Sequence, residues 1–133
     1  MIKYMLDTNI VSYTIKNRPQ EVREAFKVHD GQMCISTVTL GELIYGAERS
    51  AQPEKNLDVV EGMAARLEVL SFTANDAAHF GQLRAELIAN GQPIDPYDMM
   101  IAGHARAQGL ILVTNNLKEF SRVPGLRVEN WVK

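Results

Sequence analysis

Short apolar runs alternate with longer stretches of helical period along the chain. Lys3-Tyr4-Met5-Leu6 is the first run and ends at Asp7. Thr8 to Lys16 reads as a helix, and Pro19 opens another over Gln20 to Val28. Met33-Cys34-Ile35-Ser36 is a second strand. Thr39 to Arg49 reads as a helix with Leu40, Leu43, Ile44 and Ala47 on one face. Pro53 opens a long helix to about Leu67, carrying Leu57, Val60, Ala64 and Leu67, and Glu68 to Phe72 is a third strand. Thr73 to Asn90 is helical, and Gly91 ends it. The next helix starts at Asp95-Pro96, with proline at its favoured first position, and runs to Gln108 before Gly109. Leu110 to Val113 is the fourth and most apolar strand, and Leu126 to Val128 a fifth.

Strands separated by helices are βαβ units, which give a parallel sheet covered on both faces. The expected class is α/β: a three-layer α/β/α architecture with a central, mostly parallel sheet. In such sheets ligands bind beyond the carboxyl ends of the strands, where the strand order reverses. No repeat, low-complexity stretch or linker interrupts the pattern, so residues 1–133 are expected to form a single domain.

Composition adds limits. A hydrophobic share of 46% suffices for one core without disulfides, and the single cysteine, Cys34, lies in an apolar run as a small buried hydrophobe. Asp7 comes too early for a signal peptide, and no apolar run approaches the ~20 residues of a membrane helix. A cytoplasmic location without membrane contact is expected. The formal net charge of −2 argues against a protein that coats nucleic acid. It leaves room for an enzyme that meets RNA through a local patch.

The chemistry-bearing side chains gather where the strands end. Asp7 follows the first strand, Glu42 lies in the first turns of the helix after the second, and Asp98 in the first turn of the helix before the fourth. Asn116 and Glu119 follow the fourth strand. Each also has a purely structural reading. Asp7 suits a helix N-cap, Thr39 and Glu42 fit a capping box, and Asp95 suits a cap with Asp98 as a first-turn acid. Asn116 suits a turn and Glu119 a solvated charge. Taken together, several carboxylates at one sheet end repel one another unless a cation neutralises them. Mg²⁺ prefers oxygen ligands, keeps waters and bridges to phosphate, so Asp7, Glu42 and Asp98 are expected within reach of one such ion.

Four blocks carry a resemblance. Asp7-Thr8-Asn9, Thr39-Leu40-Gly41-Glu42-Leu43, Pro96-Tyr97-Asp98-Met99-Met100-Ile101-Ala102, and Leu112-Val113-Thr114-Asn115-Asn116 with Glu119-Phe120 resemble the signature blocks of PIN-domain nucleases, in order and in register. The closing segment from Val123 to Trp131 resembles the end of the VapC toxins, the ribonuclease half of VapBC toxin–antitoxin pairs. The resemblance implies a PIN-like fold and an endoribonuclease requiring Mg²⁺ or Mn²⁺. It implies Asp7, Glu42 and Asp98 as the acidic triad and metal ligands, with Asn116 and Glu119 completing the catalytic set. Thr8 and Thr114 offer hydroxyls suited to positioning a ligand or a water, with helix or turn capping as their structural reading. It also implies a homodimer, a VapB-type antitoxin as inhibitor, contact with DNA only through that antitoxin, and initiator tRNA, cut in the anticodon stem-loop, as substrate. Two departures stand out: Asn116 falls where many members carry Asp, and Asp95 where relatives usually have Gly.

Other residues yield less. His29, His79 and His104 show no zinc spacing and are expected in surface or supporting roles. Lys16, Arg18, Arg23 and Lys27 form a basic stretch expected near the first strand's exit, which reads as a solvated helix face ahead of an RNA contact, and Arg84 and Arg106 are similar. A phosphoaspartyl phosphatase would need a second Asp two residues after Asp7, where Asn9 stands. A receiver domain would need an adjacent acidic pair after the first strand. A non-catalytic RNA- or protein-binding module would show a broken acidic set, and this set is intact.

Overall fold

The structure, a computed structural model, describes residues 1–17 and 19–132; Arg18 lies outside the described residues. In chain order the elements are β1 (Tyr4–Leu6), α1 (Thr8–Asn17), α2 (Gln20–Val28), β2 (Met33–Ser36), α3 (Thr37–Glu48) and α4 (Pro53–Ala64). They continue with β3 (Glu68–Leu70), α5 (Ala74–Ala89), α6 (Pro96–Ala107), β4 (Ile111–Val113), α7 (Leu117–Phe120) and β5 (Val128–Glu129).

The five strands form one sheet in the order β3-β2-β1-β4-β5, with every pairing parallel. Its central strands are buried on both sides, and their side chains alternate between two separate cores. Tyr4, Leu6, Met33, Ile35, Ile111 and Val113 pack with residues of α1 to α4. Met5, Cys34 and Leu112 pack with α5, α6 and Phe120 of α7. The two faces follow from the strand order. From β1 the chain steps outward to β2 and β3, then returns across β1 to β4 and β5. Right-handed crossovers in opposite directions put their helices on opposite faces. The order therefore reverses between β1 and β4, and the crevice beyond their carboxyl ends is the place for a site.

Element ends differ from the sequence pattern where a tertiary partner competes. Helix α3 starts at Thr37 with Ser36 as N-cap, its Oγ accepting from Val38 N at 3.1 Å. The expected capping box between Thr39 and Glu42 therefore does not form, and Glu42 is free to point elsewhere. Strand β3 stops at Leu70, short of Phe72, whose N–H donates to Thr37 Oγ1. Helix α4 ends at Ala64 and relaxes through turns to Leu67. Strand β5 covers Val128–Glu129, further on than Leu126 to Val128, and the short α7 has no counterpart among the expected elements. Asp95 does cap α6, accepting from Tyr97 N at 2.9 Å.

His104 is not at the surface: it is fully buried on α6. Its Nδ1 lies 2.8 Å from Ser36 Oγ and its Nε2 3.3 Å from Asp76 Oδ2, linking β2, α6 and α5. Burial holds its pKa below the usual histidine range despite Asp76 beside it. Burial opposes ionisation of Asp76 too, but hydrogen bonds from Thr73 and Gln108, with His104 adjacent, hold it below the ordinary carboxylate value. Ser36, His104 and Asp76 are all shut off from solvent, so this trio ties the layers together and offers no nucleophile. His29 stacks on Trp131 with ring centroids 4.9 Å apart, and His79 accepts from Arg106 Nε at 3.1 Å.

Cys34 is buried, and its thiol is pushed up to about 12 by burial and then by Glu68, so it stays protonated and unreactive. Among the described residues no helix is long and apolar enough to cross a membrane.

Candidate active site

Asp7 anchors the crevice. Its backbone N–H donates to Val113 O at 3.0 Å, carrying the β1–β4 pairing one step past the strand. Its side chain is buried, the residue being 1% exposed, and bonded through both oxygens. Oδ1 accepts from Ile10 N at 2.7 Å and caps α1, while Oδ2 accepts from Thr114 Oγ1 at 2.7 Å. Thr114 Oγ1 in turn accepts from Asn116 N at 2.9 Å. The acid is thus pinned across the point where the strand order reverses. It is a cap, as its sequence position allows, but it is also the best-fixed carboxylate in the crevice. Each oxygen keeps a second lone pair for another partner.

The other acids approach it from three directions. Glu42, in the second turn of α3, accepts from Thr8 Oγ1 at 2.6 Å, and Thr8 Oγ1 lies 3.3 Å from Thr39 Oγ1. Asp98, in the first turn of α6, is half-buried against Glu119. Glu119, on α7, accepts at Oε2 from Asn116 Nδ2 at 2.7 Å. Its Oε1 is buried with no hydrogen-bond partner.

The electrostatics follow from this crowding. Burial first, then the charges of Glu42 and Glu119, raise the Asp7 pKa to about 6 against the lowering bonds from Thr114 and Ile10. Asp98 is raised to about 8, by burial first, then by its hydrogen-bonding contact with Glu119 and the charges of Glu119, Asp95 and Asp7. Asp7, Asp98, Asn116 and Glu119 are therefore brought together, with Glu42 and Thr8 alongside. The basic stretch is not at the first strand's exit as expected, and Arg106 is not part of the cluster either. Arg23 and Lys27 line a groove of about 710 Å³ together with Met33, the first residue of β2, at the far end of the sheet. Arg106 is occupied by His79, Gln82 and the Pro124 carbonyl.

Among the described residues no three acids close into a ready-made metal cage. Unneutralised carboxylates keep apart, and Mg²⁺ normally takes one or two of them and fills its octahedron with water and phosphate. The donors here are all oxygen, two acids are reluctant to ionise without a counter-charge, and one buried Glu119 oxygen lacks a donor. This set fits a hard divalent cation.

Stability should therefore depend on pH. Raised pKa values in the folded state mean that Asp7 and Asp98 favour folding in full below the unfolded-state carboxylate range. That contribution is lost as pH rises through about 6 for Asp7 and about 8 for Asp98. For buried Asp7 the loss is roughly 3 kcal/mol, while for half-buried Asp98 solvent screening makes it smaller per unit. Thermal unfolding in EDTA is expected to show a falling midpoint from weakly acidic to alkaline pH, and saturating Mg²⁺ to flatten the fall. His104, whose pKa burial lowers, works in the opposite direction and only on acidification below the ordinary histidine range. A midpoint in EDTA that holds steady from pH 5 to pH 8 would contradict the raised pKa values that burial and neighbouring charge give these acids.

Comparison with known proteins adds the lineage. The PIN domain family model matches residues 4–126. The tRNA(fMet)-specific endonuclease VapC of Shigella flexneri is 60% identical over 131 residues, covering 98% of this chain and 99% of that protein. Ribonuclease VapC2 of Haemophilus influenzae is 54% identical over 132 residues, covering 99% of this chain and 100% of the relative. The DNA-bound VapBC structure from Salmonella typhimurium superposes with a TM-score of 0.97 at 57% identity, covering 99% of this chain and 100% of that one.

Proposed function

The chain belongs to the PIN-domain family, among its VapC ribonucleases, and from that premise we propose that it is the toxin of a VapBC-type pair. It hydrolyses RNA phosphodiester bonds, with initiator tRNA as substrate and the anticodon stem-loop as the point of cleavage, and it uses Mg²⁺ or Mn²⁺. The observation that carries the reading is the acid cluster at the β1–β4 reversal, with the Glu119 oxygen left without a donor.

Asp7, Asp98 and Glu42 are the residues that would hold the cation. When bound, the ion neutralises charge at the scissile phosphate and lowers the pKa of the attacking water. The protein's own groups do the positioning. Thr114 and the Ile10 amide fix Asp7 in one rotamer, and Thr8 orients Glu42. Asn116 holds Glu119 beside Asp98, which keeps an acid at the position that an Asp at 116 would otherwise supply. In the hydrolysis itself a water oxygen bonds to phosphorus, the leaving oxygen departs, and a carboxylate takes the water's proton.

The partner is a VapB-type antitoxin, which carries the DNA contact, and the toxin works as a homodimer. The solved relative is itself a DNA-bound VapBC complex. An acidic crevice of this kind attracts an Arg or Lys from the inhibiting segment.

The test is incubation of total RNA with the purified protein in Mg²⁺ or Mn²⁺, with mapping of the new ends. One tRNA species is expected to be cut at one place, with no cutting in EDTA or with excess antitoxin encoded beside this protein. RNA binding without cleavage in either metal would instead make the domain a non-catalytic module.

A further inference from the structure

A second pocket, of about 540 Å³, adjoins the acid cluster. The acids Asp95 and Glu119, the amide of Asn116, the cations Lys118 and Arg122, and Pro93 are among the residues that line it. Lys118 and Arg122 are four residues apart on α7 and the turn that continues it, which sets them on one face. Both are exposed. Arg122 Nη1 donates to Pro93 O at 3.4 Å, which steadies the guanidinium against the wall and leaves its other nitrogens available. Among the described residues neither cation forms an ion pair, although two carboxylates line the same pocket.

Opposite charges in one pocket that do not pair are disposed for different partners. Glu119 belongs to the acid cluster around Asp7 and Asp98, where a cation would be held, and the two basic groups are exposed beside it. RNA must approach a protein of net charge −2 across a cluster of carboxylates, so a local positive anchor is needed beside that cluster. The cations at the far end of the sheet cannot supply it.

We propose that Lys118 and Arg122 hold the backbone phosphate that flanks the scissile one, seated in this pocket, and so set which bond lies over the acids. The inference rests on the ribonuclease reading and assigns positioning residues for it. Arg122 offers its planar fork to two phosphate oxygens, and Lys118 acts as a point charge.

The double variant Lys118→Gln/Arg122→Gln tests it, against a control losing two cations at the other end of the sheet, Lys27→Gln/Arg66→Gln. The RNA is a synthetic anticodon stem-loop of initiator tRNA. Cleavage is expected to lose about 10- to 100-fold in kcat/KM for the double variant, mainly through KM, with an unchanged thermal midpoint. In an Asp7→Asn background at fixed Mg²⁺, the slope of log affinity against log salt is expected to flatten by about 0.7 to 0.9 per lost contact. A salt slope equal to the parent's, or a loss matched by the control, would overturn the proposal. If the parent binds this RNA but never cleaves it, the nuclease reading falls, while the slope still decides whether these two residues hold phosphate.

Discussion

Asp7→Asn is expected to lower RNA cleavage by about three orders of magnitude or more while the protein stays folded. The substitution isolates charge from shape. Asn caps a helix about as well as Asp, so its Oδ1 accepts from Ile10 N as before. On the other branch the amide NH₂ donates to Thr114 Oγ1, reversing the bond that Thr114 now gives to Asp7. Thr114 already accepts from Asn116 N, and a hydroxyl oxygen has two lone pairs, so both bonds fit. What disappears is one negative charge in a site that is reluctant to hold it. Without metal, at a pH above about 6, the variant is therefore expected to be more stable than the parent. With Mg²⁺ the order is expected to reverse, because a parent that binds the ion would gain free energy that the variant lacks. The measurement is single-turnover cleavage at saturating Mg²⁺ paired with unfolding in EDTA. A folded Asp7→Asn protein with full activity would leave Asp7 as a cap and nothing more.

Gly103→Val is expected to cost several kcal/mol, a large part of the ~5–15 kcal/mol that holds a domain of this kind together. Gly103 lies on α6, where that helix packs closely across α5. A Cβ added there would sit 2.8 Å from Phe80 N, 3.0 Å from Phe80 Cα and 3.3 Å from His79 C. All three are backbone atoms, which yield only if the helices separate. Even Gly103→Ala should destabilise, although alanine is favoured over glycine in a helix interior by about 1 kcal/mol. Gly81 provides the contrast, for it lies inside α5 and a Cβ added there would meet nothing within 4 Å. Gly81→Ala is expected to stabilise by roughly 0.5–1 kcal/mol. Urea unfolding midpoints for the three variants decide the matter. Equal midpoints for Gly103→Ala and the parent would mean that the two helices can part at little cost. Because α6 also carries Asp98, forcing the helices apart is expected to lower RNA cleavage along with stability.

Much of this architecture is written in local pattern. The alternation of apolar runs and helical periods specifies the order of the elements. Pro96 behind Asp95 starts α6 where it starts, because the cap and the fixed proline φ act within three residues. Asp7 directly after a buried strand places a carboxylate at a strand exit. Asp98 and Glu119 are likewise tied to a helix start and to the turn after β4.

Other features depend on residues far apart in the chain. Local spacing offers Glu42 as the partner of Thr39, but its actual donor is Thr8, brought in from 34 residues away when α1 packs beside α3. Ser36 takes the cap of α3 and also meets His104, 68 residues distant, and no spacing rule joins them. The four residues of α7 are too few to show a period, yet they bring Glu119 and Lys118 to the lining of one pocket. The raised pKa values of Asp7 and Asp98 come first from burial, and the packing of the whole sheet and its helices produces that burial. Capping and periodicity act over one turn of chain, so the sequence alone determined the longer helices, the order of the strands along the chain and which acids stand near their ends, but not α7 or the exact element bounds. Desolvation and carboxylate repulsion act through space, so only the tertiary structure decided which of those acids share a crevice and how unwilling each is to carry its charge.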